Sequence, residues 1–319
     1  MSDVPVFTGR HVEAALSPVD AVGVVREAFV AYAHGEWMMP PKVYAPAYPA
    51  GDFRAMPALG AGHALLKWVT SFPGNPARGL PTVTGVVLLS DAETGMLRAV
   101  LDAAAVTALR TGAAAVLAAE TLGRRGTVAV VGAGVNGTAT ARAFIARGHC
   151  VSLWDVDEPR ARAAAEELGA GLAPSREDAL AASIVATVTP GREILFPHES
   201  LRPGQHVSLM GADGPGKAEI APEELARVRV FCDDWEQASH NGDVAHAVEA
   251  RLLSRADVTE LGAVLSGDSA GRQSEEEITV FDSTGLAIQD LAIGIEVVKR
   301  YLETPNADRF SDVETIEIS

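Results

Sequence analysis

The 319-residue chain is short of several things, and each shortage excludes a class of protein. Cysteine occurs twice, at Cys150 and Cys232, too sparsely for a disulfide framework or a thiolate metal site. Basic residues are outnumbered, 26 Lys+Arg against 42 Asp+Glu, for a formal net charge of −16. Nucleic acids and anionic membrane surfaces both call for a basic face, so neither is an expected partner. No uncharged apolar run of about 20 residues is present to span a bilayer, and the first residues lack the apolar centre of a signal peptide. The histidines show no ligand spacing; His240 and His246 flank Gly242 too far apart for an HExxH-type zinc site, and no metal is expected. What remains is a reduced, cytoplasmic protein, 48% hydrophobic, with length enough for two domains.

The charge is unevenly spread. Residues 1–110 carry eight basic and nine acidic side chains, whereas residues 111–319 carry 18 basic and 33 acidic. The near-neutral first third holds Lys42, Arg54, Lys67 and Arg110, which could form a carboxylate-binding cluster. Lys67 interrupts the apolar run 64–69, and Arg110 lies in an Ala-rich stretch where a long cation needs a partner.

Residues 17–34 read as a helix, with Ser17 as N-cap and Pro18 in the first turn. Residues 40–81 are rich in Pro and Gly around short apolar runs, the pattern of strands and turns, and 82–90 is a further strand. Residues 102–120 are helical but interrupted at Arg110-Thr111-Gly112. From Gly126 the texture changes to short apolar runs at 128–131, 151–154, 184–188, 206–210, 228–231 and 278–281, with helical patterns such as 158–168 and 222–227 between most of them. That alternation predicts an α/β fold, a doubly wound parallel sheet with helices on both faces. A last helix spans about 285–302, and the acidic tail after Pro305 is expected to be loose.

Gly132-Ala133-Gly134-Val135-Asn136-Gly137 is a GxGxxG placed after a strand and at the opening of a helix over 136–147. The first glycine permits the tight turn, the second lets backbone approach a pyrophosphate, and the third allows close helix–strand packing. The next strand ends at Asp155, whose carboxylate can hold an adenosine ribose 2′-OH and repels a 2′-phosphate; Asp157 could take its place. NAD is therefore expected over NADP. Two other motifs mislead. Gly211 to Lys217 fits GxxxxGK, but Ala218 replaces the magnesium-binding Ser or Thr and Pro215 removes a backbone N–H. Gly267-Asp268-Ser269-Ala270-Gly271 fits GxSxG, but a helical pattern over 256–265 precedes it where a nucleophile elbow needs a strand. Asp213 follows the strand 206–210 at the end where open α/β sheets place their sites, and is an acid/base candidate or a turn residue.

Several motifs together resemble one family: Met56-Pro57-Ala58, Lys67-Trp68-Val69, Gly79-Leu80-Pro81-Thr82-Val83, Thr107 to Ala113, Gly211 to Lys217, Asp233-Asp234 followed by Gln237, and Ile278 to Asp290. In that order, from about residue 17 to 302, the chain resembles the ornithine cyclodeaminase/mu-crystallin family, and within it the archaeal-type alanine dehydrogenases. The resemblance implies a Rossmann domain over 116–289 and a discontinuous α+β domain, 1–115 with 290–319, that binds substrate and forms a homodimer. It implies that Lys67 and Arg110 hold the substrate carboxylate, with Lys42, Arg54 and Thr82 in the substrate site. It gives Asp213 the amine and the water or imine chemistry, making Asp213 and Lys67 the expected catalytic pair. The implied cofactor set is Thr111, Gly132, Gly134, Val135, Asn136, Gly137, Asp155, Thr187, Ser283, Thr284 and Gly285.

Two departures stand out. Asn136 and Gly137 replace the Gln and Ala common in the family's loop. Arg54 stands where ornithine cyclodeaminases carry a glutamate for the distal amine, and a cation there repels a substrate ammonium. The leading expectation is NAD-dependent, reversible deamination of a small L-amino acid. The alternatives are reduction of a preformed cyclic or secondary imine, redox-neutral cyclodeamination, and small-ligand binding without catalysis.

Overall fold

The computed structural model describes every residue except Met1, Asp213, Pro215 and Ser319. The chain divides into two units, Met1–Arg110 with Leu286–Ser319, and Thr111–Gly285.

The first unit is built on a seven-stranded sheet in the order Glu314–Ile318, Ser2–Phe7, Leu97–Asp102, Val83–Asp91, His63–Ser71, Gly51–Gly60, Val43–Ala47. Alternation divides its central strands cleanly: Leu65, Lys67 and Val69 are buried, while Leu66 and Trp68 are exposed. The buried face packs under the helix Ala287–Glu303, which in turn packs on the helix Pro18–Ala33. Ser17 caps the latter by accepting from Asp20 N, 3.2 Å.

The tail is not loose, contrary to expectation. Glu314–Ile318 pairs antiparallel with Ser2–Phe7, and Asp312 accepts from Arg10 and meets His11 Nε2 at 3.0 Å. Its acidic composition suggested a solvated end, but backbone pairing is indifferent to side-chain charge and the sheet edge supplied a partner.

The second unit carries an eight-stranded, all-parallel sheet ordered Val258–Glu260, Arg229–Cys232, Thr279–Asp282, His206–Leu209, Ile184–Thr187, Val128–Val131, Val151–Trp154, Gly171–Leu172. From Gly171–Leu172 inward the order runs 3-2-1-4-5, the doubly wound arrangement, with the chain reversing direction across the sheet at Val128–Val131. The four strands Val128–Val131, Ile184–Thr187, His206–Leu209 and Thr279–Asp282 are buried along their whole length, as helices on both faces require.

Two local expectations need correction. Arg110-Thr111-Gly112 does not interrupt its helix, which runs unbroken over Ala103–Leu122. Gly112 allows close packing: a Cβ there would meet Ala139 O at 3.0 Å and Ala143 Cβ at 3.1 Å. This helix is long and apolar enough to cross a membrane, but most of it is buried inside the structure. The pattern at 256–265 is a strand, Val258–Glu260, followed by the short helix Leu261–Ser266. Gly267 ends that helix at φ 88°, so GxSxG is a helix terminus and an exposed loop.

Candidate functional site

In the first unit the sheet register gathers cations on one face. Met56 pairs with Lys67 and Arg54 with Val69, so Arg54 and Lys67 share the buried face, and Tyr44 opposite Arg54 lies on it too. Half-buried Lys42 directly precedes the edge strand Val43–Ala47. Lys67 is 1% exposed, and an ammonium so placed must be compensated. It donates to Thr107 Oγ1 at 2.6 Å and Asp290 Oδ1 at 2.9 Å. Arg110 approaches the same carboxylate: its Nε is 3.6 Å from Asp290 Oδ1, and Nη1 donates to Gln289 Oε1 at 3.4 Å. Arg54 is compensated separately. Its Nε donates to Asp52 Oδ1 at 2.6 Å, Nη2 to Oδ2 at 3.3 Å, and its guanidinium lies 5.5 Å from the Tyr44 ring.

Three buried polar atoms around Asp290 have no hydrogen-bond partner among the described residues: Arg110 Nε, Gln289 Nε2 and Asp290 Oδ2. Buried polar groups are nearly always satisfied, so three orphans in one place make this the candidate site for a ligand to complete. Thr82 is half-buried just before the strand Val83–Asp91, and its carbonyl accepts from Phe72 N at 2.8 Å; the Lys67–Asp290 contacts do not involve it. Asp52, Thr107, Gln289 and Asp290 went unassigned in the sequence. The available signal was Lys67 itself, because a lysine in a buried strand requires an acid somewhere.

In the second unit the glycine loop forms a cradle. Gly132, at φ 105°, donates its N–H to Trp154 O at 2.8 Å, and a Cβ there would lie 2.4 Å from Val188 O. At Gly137 a Cβ would lie 1.8 Å from Gly132 O, so only glycine lets helix and strand meet. At Gly134 a Cβ would meet nothing within 4 Å, which leaves the backbone open to a ligand. Gly134 is the N-cap of Val135–Ala146 and offers no capping side chain, so the first-turn N–H groups of Val135, Asn136 and Gly137 remain for an anion. These features fit a dinucleotide pyrophosphate.

Asp155, just past the strand Val151–Trp154, accepts from Ala133 N at 2.6 Å and Asp157 N at 2.9 Å. Arg160 donates to the same carboxylate through Nη2 at 2.6 Å and Nε at 3.3 Å. Burial pushes the Asp155 carboxyl up, but the Arg160 and backbone hydrogen bonds outweigh it and hold the group below its ordinary value.

Ser283, Thr284 and Gly285 converge on a residue to which sequence reading gave no role. Asp233 accepts from Ser283 Oγ at 3.2 Å, Thr284 Oγ1 at 3.1 Å and Gly285 N at 2.8 Å, fixing a turn in which Gly285 sits at φ 76°. Thr187 is fully buried and its hydroxyl donates to Glu219 Oε2 at 2.7 Å. Thr111 is buried, and its Oγ1 has no partner among the described residues.

Beneath these strand ends lie three fully buried acids, Glu219, Asp243 and Asp282. Their partners are neutral. Thr187, Thr189 and Gly211 N donate to Glu219, Glu219 N and Ile220 N to Asp243, and Val244 N to Asp282. Burial raises all three, Asp243 the more because Asp282 and Glu219 are near, and Asp282 is pushed up to about 8. Among the described residues no group of three His, Cys, Asp or Glu could hold a metal ion. Asp213 lies outside the described residues.

Comparison with known proteins agrees with this architecture. The chain is 41% identical over 309 residues to an alanine dehydrogenase of Archaeoglobus fulgidus, covering 93% of this chain and 95% of that one. It superposes on an archaeal alanine dehydrogenase dimer with bound NAD at a TM-score of 0.92, 38% identity and full coverage of both chains. The iminosuccinate reductase of Paracoccus denitrificans in complex with NAD+ matches at a TM-score of 0.87 and 28% identity, over 99% of this chain and 100% of that one. The model of the ornithine cyclodeaminase/mu-crystallin family matches residues 4–304, and the chain belongs to that family.

Proposed function

We propose that the chain is an NAD-dependent oxidoreductase that interconverts a small L-amino acid, alanine first, with its 2-oxo acid and ammonia. The observation that carries this reading is the trio of unsatisfied atoms around Asp290. Arg110 Nε and Gln289 Nε2 are donors that a substrate carboxylate satisfies, while Asp290 Oδ2 is an acceptor for an ammonium or protonated imine. An α-amino acid carries both halves on adjacent atoms. Lys67 holds Asp290 in place and adds positive potential for the carboxylate, with Arg54 contributing from the same sheet face and Lys42 from the start of the edge strand. In the second unit the Gly132–Gly137 cradle takes the pyrophosphate, Asp155 the adenosine ribose, and the turn Ser283-Thr284-Gly285 stands ready for the rest of the cofactor. When bound, the nicotinamide supplies hydride transfer at the substrate Cα. Asp213, which follows the run 206–210 in the sequence, serves as acid/base for water addition and ammonia loss.

The test is NADH consumption with pyruvate plus ammonia. Protein that binds NADH yet shows no turnover above blank would sink the reading. A second reading, reduction of a preformed imino acid, is supported by the likeness to an iminosuccinate reductase and by Arg54, a further cation on the substrate face. NADH oxidation by an imino acid without added ammonia would select it. Cyclodeamination of ornithine is disfavoured because Arg54, paired with Asp52, stands where a free carboxylate for the distal amine is needed. A binding protein without catalysis would show no turnover for Asp213→Asn to remove.

We further propose that the protein works in the cytoplasm as a homodimer, joined through the outward face of the first unit's sheet. There Leu66, Trp68 and Val86 stay exposed, with Phe53 stacked on Trp68 at 5.7 Å between ring centroids. Trp68→Glu would turn a dimer into a monomer in sedimentation velocity.

A further inference from the structure

On the reading that Asp155 takes the adenosine ribose, its carboxylate must be shared between the cofactor and the donors it already holds. An ionised carboxylate offers about four lone-pair positions. Here each oxygen already accepts twice. Oδ1 accepts from Asp157 N at 2.9 Å and Arg160 Nη2 at 2.6 Å. Oδ2 accepts from Ala133 N at 2.6 Å and Arg160 Nε at 3.3 Å.

The two pairs of donors differ in mobility. Ala133 N belongs to the glycine loop and Asp157 N to the turn that caps the helix Glu158–Leu168, so both are fixed by backbone. Arg160 reaches Asp155 through a long side chain that is 48% exposed. Only the positions it fills can be vacated. The ribose diol presents hydroxyl donors, which therefore need the places the guanidinium holds. In its Asp155-bound pose Arg160 also brings Nη1 within 3.7 Å of Asp157 Oδ2, and its place in the helix Glu158–Leu168 keeps a displaced guanidinium within reach of the ribose position.

We propose that Arg160 is a cofactor-selecting residue: it competes with the ribose of NAD(H) for Asp155 and, once displaced, pairs with a 2′-phosphate, so that the chain accepts NADPH as well as NADH. Asp155 alone would repel a 2′-phosphate. Arg160 offsets that repulsion with a planar fork suited to phosphate oxygens.

The experiment is direct titration of NADH and NADPH by nicotinamide fluorescence against wild type, Arg160→Gln, Arg160→Lys and Asp155→Asn. Removing the competitor in Arg160→Gln is expected to tighten NADH about threefold or more and to weaken NADPH about tenfold. Arg160→Lys, which keeps the charge but loses the fork, should fall between wild type and Arg160→Gln for NADPH. The proposal is overturned if Arg160→Gln leaves the NADH/NADPH ratio unchanged, if it weakens both cofactors equally, or if Arg160→Lys loses NADPH as fully as Arg160→Gln does. Asp155→Asn separates the two layers. If it weakens NADH while Arg160→Gln changes nothing, the ribose assignment stands and the competition fails. If it leaves NADH affinity untouched, both fall.

Discussion

The charges buried in the first unit and the acid trio Glu219, Asp243 and Asp282 of the second are held in opposite ways. In the first, every buried charge described above has a counter-charge: Lys67 and Arg110 face Asp290, and Arg54 faces Asp52. In the second, Glu219, Asp243 and Asp282 are held by backbone N–H groups and hydroxyls, and burial raises them. Pairing keeps charge inside a protein across the working pH range, whereas dipoles alone favour a proton on the acid. The first arrangement suits an anchor for an ionic substrate. The second suits neutral bracing under strand ends in the unit that carries the proposed pyrophosphate cradle.

The sharpest way to break this contrast is to remove one member of the central pair. Lys67→Met leaves buried Asp290 with only Arg110, 3.6 Å away, as counter-charge, which should cost about 3 kcal/mol in denaturant unfolding, the low end for breaking a buried pair. It should also lower kcat/KM for pyruvate plus ammonia by about 10²-fold or more, because the carboxylate loses its fixed frame. The double variant Lys67→Met/Asp290→Leu should recover part of the stability, since Arg110 then loses its carboxylate, and none of the activity. Recovery of activity would show that the pair is scaffolding only.

Asp233 tests the second unit's use of an acid as a clamp. Asp233→Ala strands three donors at Ser283, Thr284 and Gly285, a loss of about 1–3 kcal/mol, and should weaken NADH binding about tenfold. Asp233→Asn keeps one acceptor oxygen and should retain part of both. Equal NADH affinity in all three proteins would detach this turn from the cofactor.

Asp282 gives the pH signature of unpaired burial. Its ordinary value is near 3.8 and its folded value about 8. Between those pH values the folded protein holds a proton that the unfolded chain has released, so this group's contribution to stability falls as pH rises through the window and levels off above it. Asp282→Asn keeps an oxygen for Val244 N but cannot ionise. Melting temperatures taken from pH 6 to pH 9 should therefore decline less in the variant than in wild type. A parallel decline in both would mean that Asp282 carries its charge throughout.

The contrast also explains which features could be read from sequence. Strand, glycine loop and helix at 128–146 are contiguous, and their chemistry is local: Gly132, Gly134 and Gly137 each carry their constraint in the backbone. The unbroken helix Ala103–Leu122 was missed because Thr111 and Gly112 have poor helix propensity, which tertiary packing on Ala139 and Ala143 overrides. Asp290 was hidden for another reason. It lies 223 residues from Lys67, and in sequence it is an acid in the first turn of a helix, a position with its own ordinary explanation. The buried acids of the second unit likewise sit in different segments that only the sheet order assembles. Long-range pairing leaves no periodic trace, so cations in apolar runs were visible while their partners were not.

Asp52 offers the mildest test of the paired region. Its carboxylate offsets the charge of Arg54 on the face that also carries Lys67, so it sets how positive that face is without being asked to bind substrate itself. Asp52→Asn keeps an oxygen for Arg54 Nε and removes the negative charge. At an effective dielectric between those of protein and water, one unit charge across the width of such a site changes anion affinity about 2–5-fold. KM for pyruvate should therefore fall by that factor with kcat little changed, and the gain should shrink in high salt. If KM stays fixed while the melting temperature drops, Arg54 and Asp52 form a structural pair whose field does not reach the substrate, and the positive character of the site belongs to Lys67 and Arg110 alone.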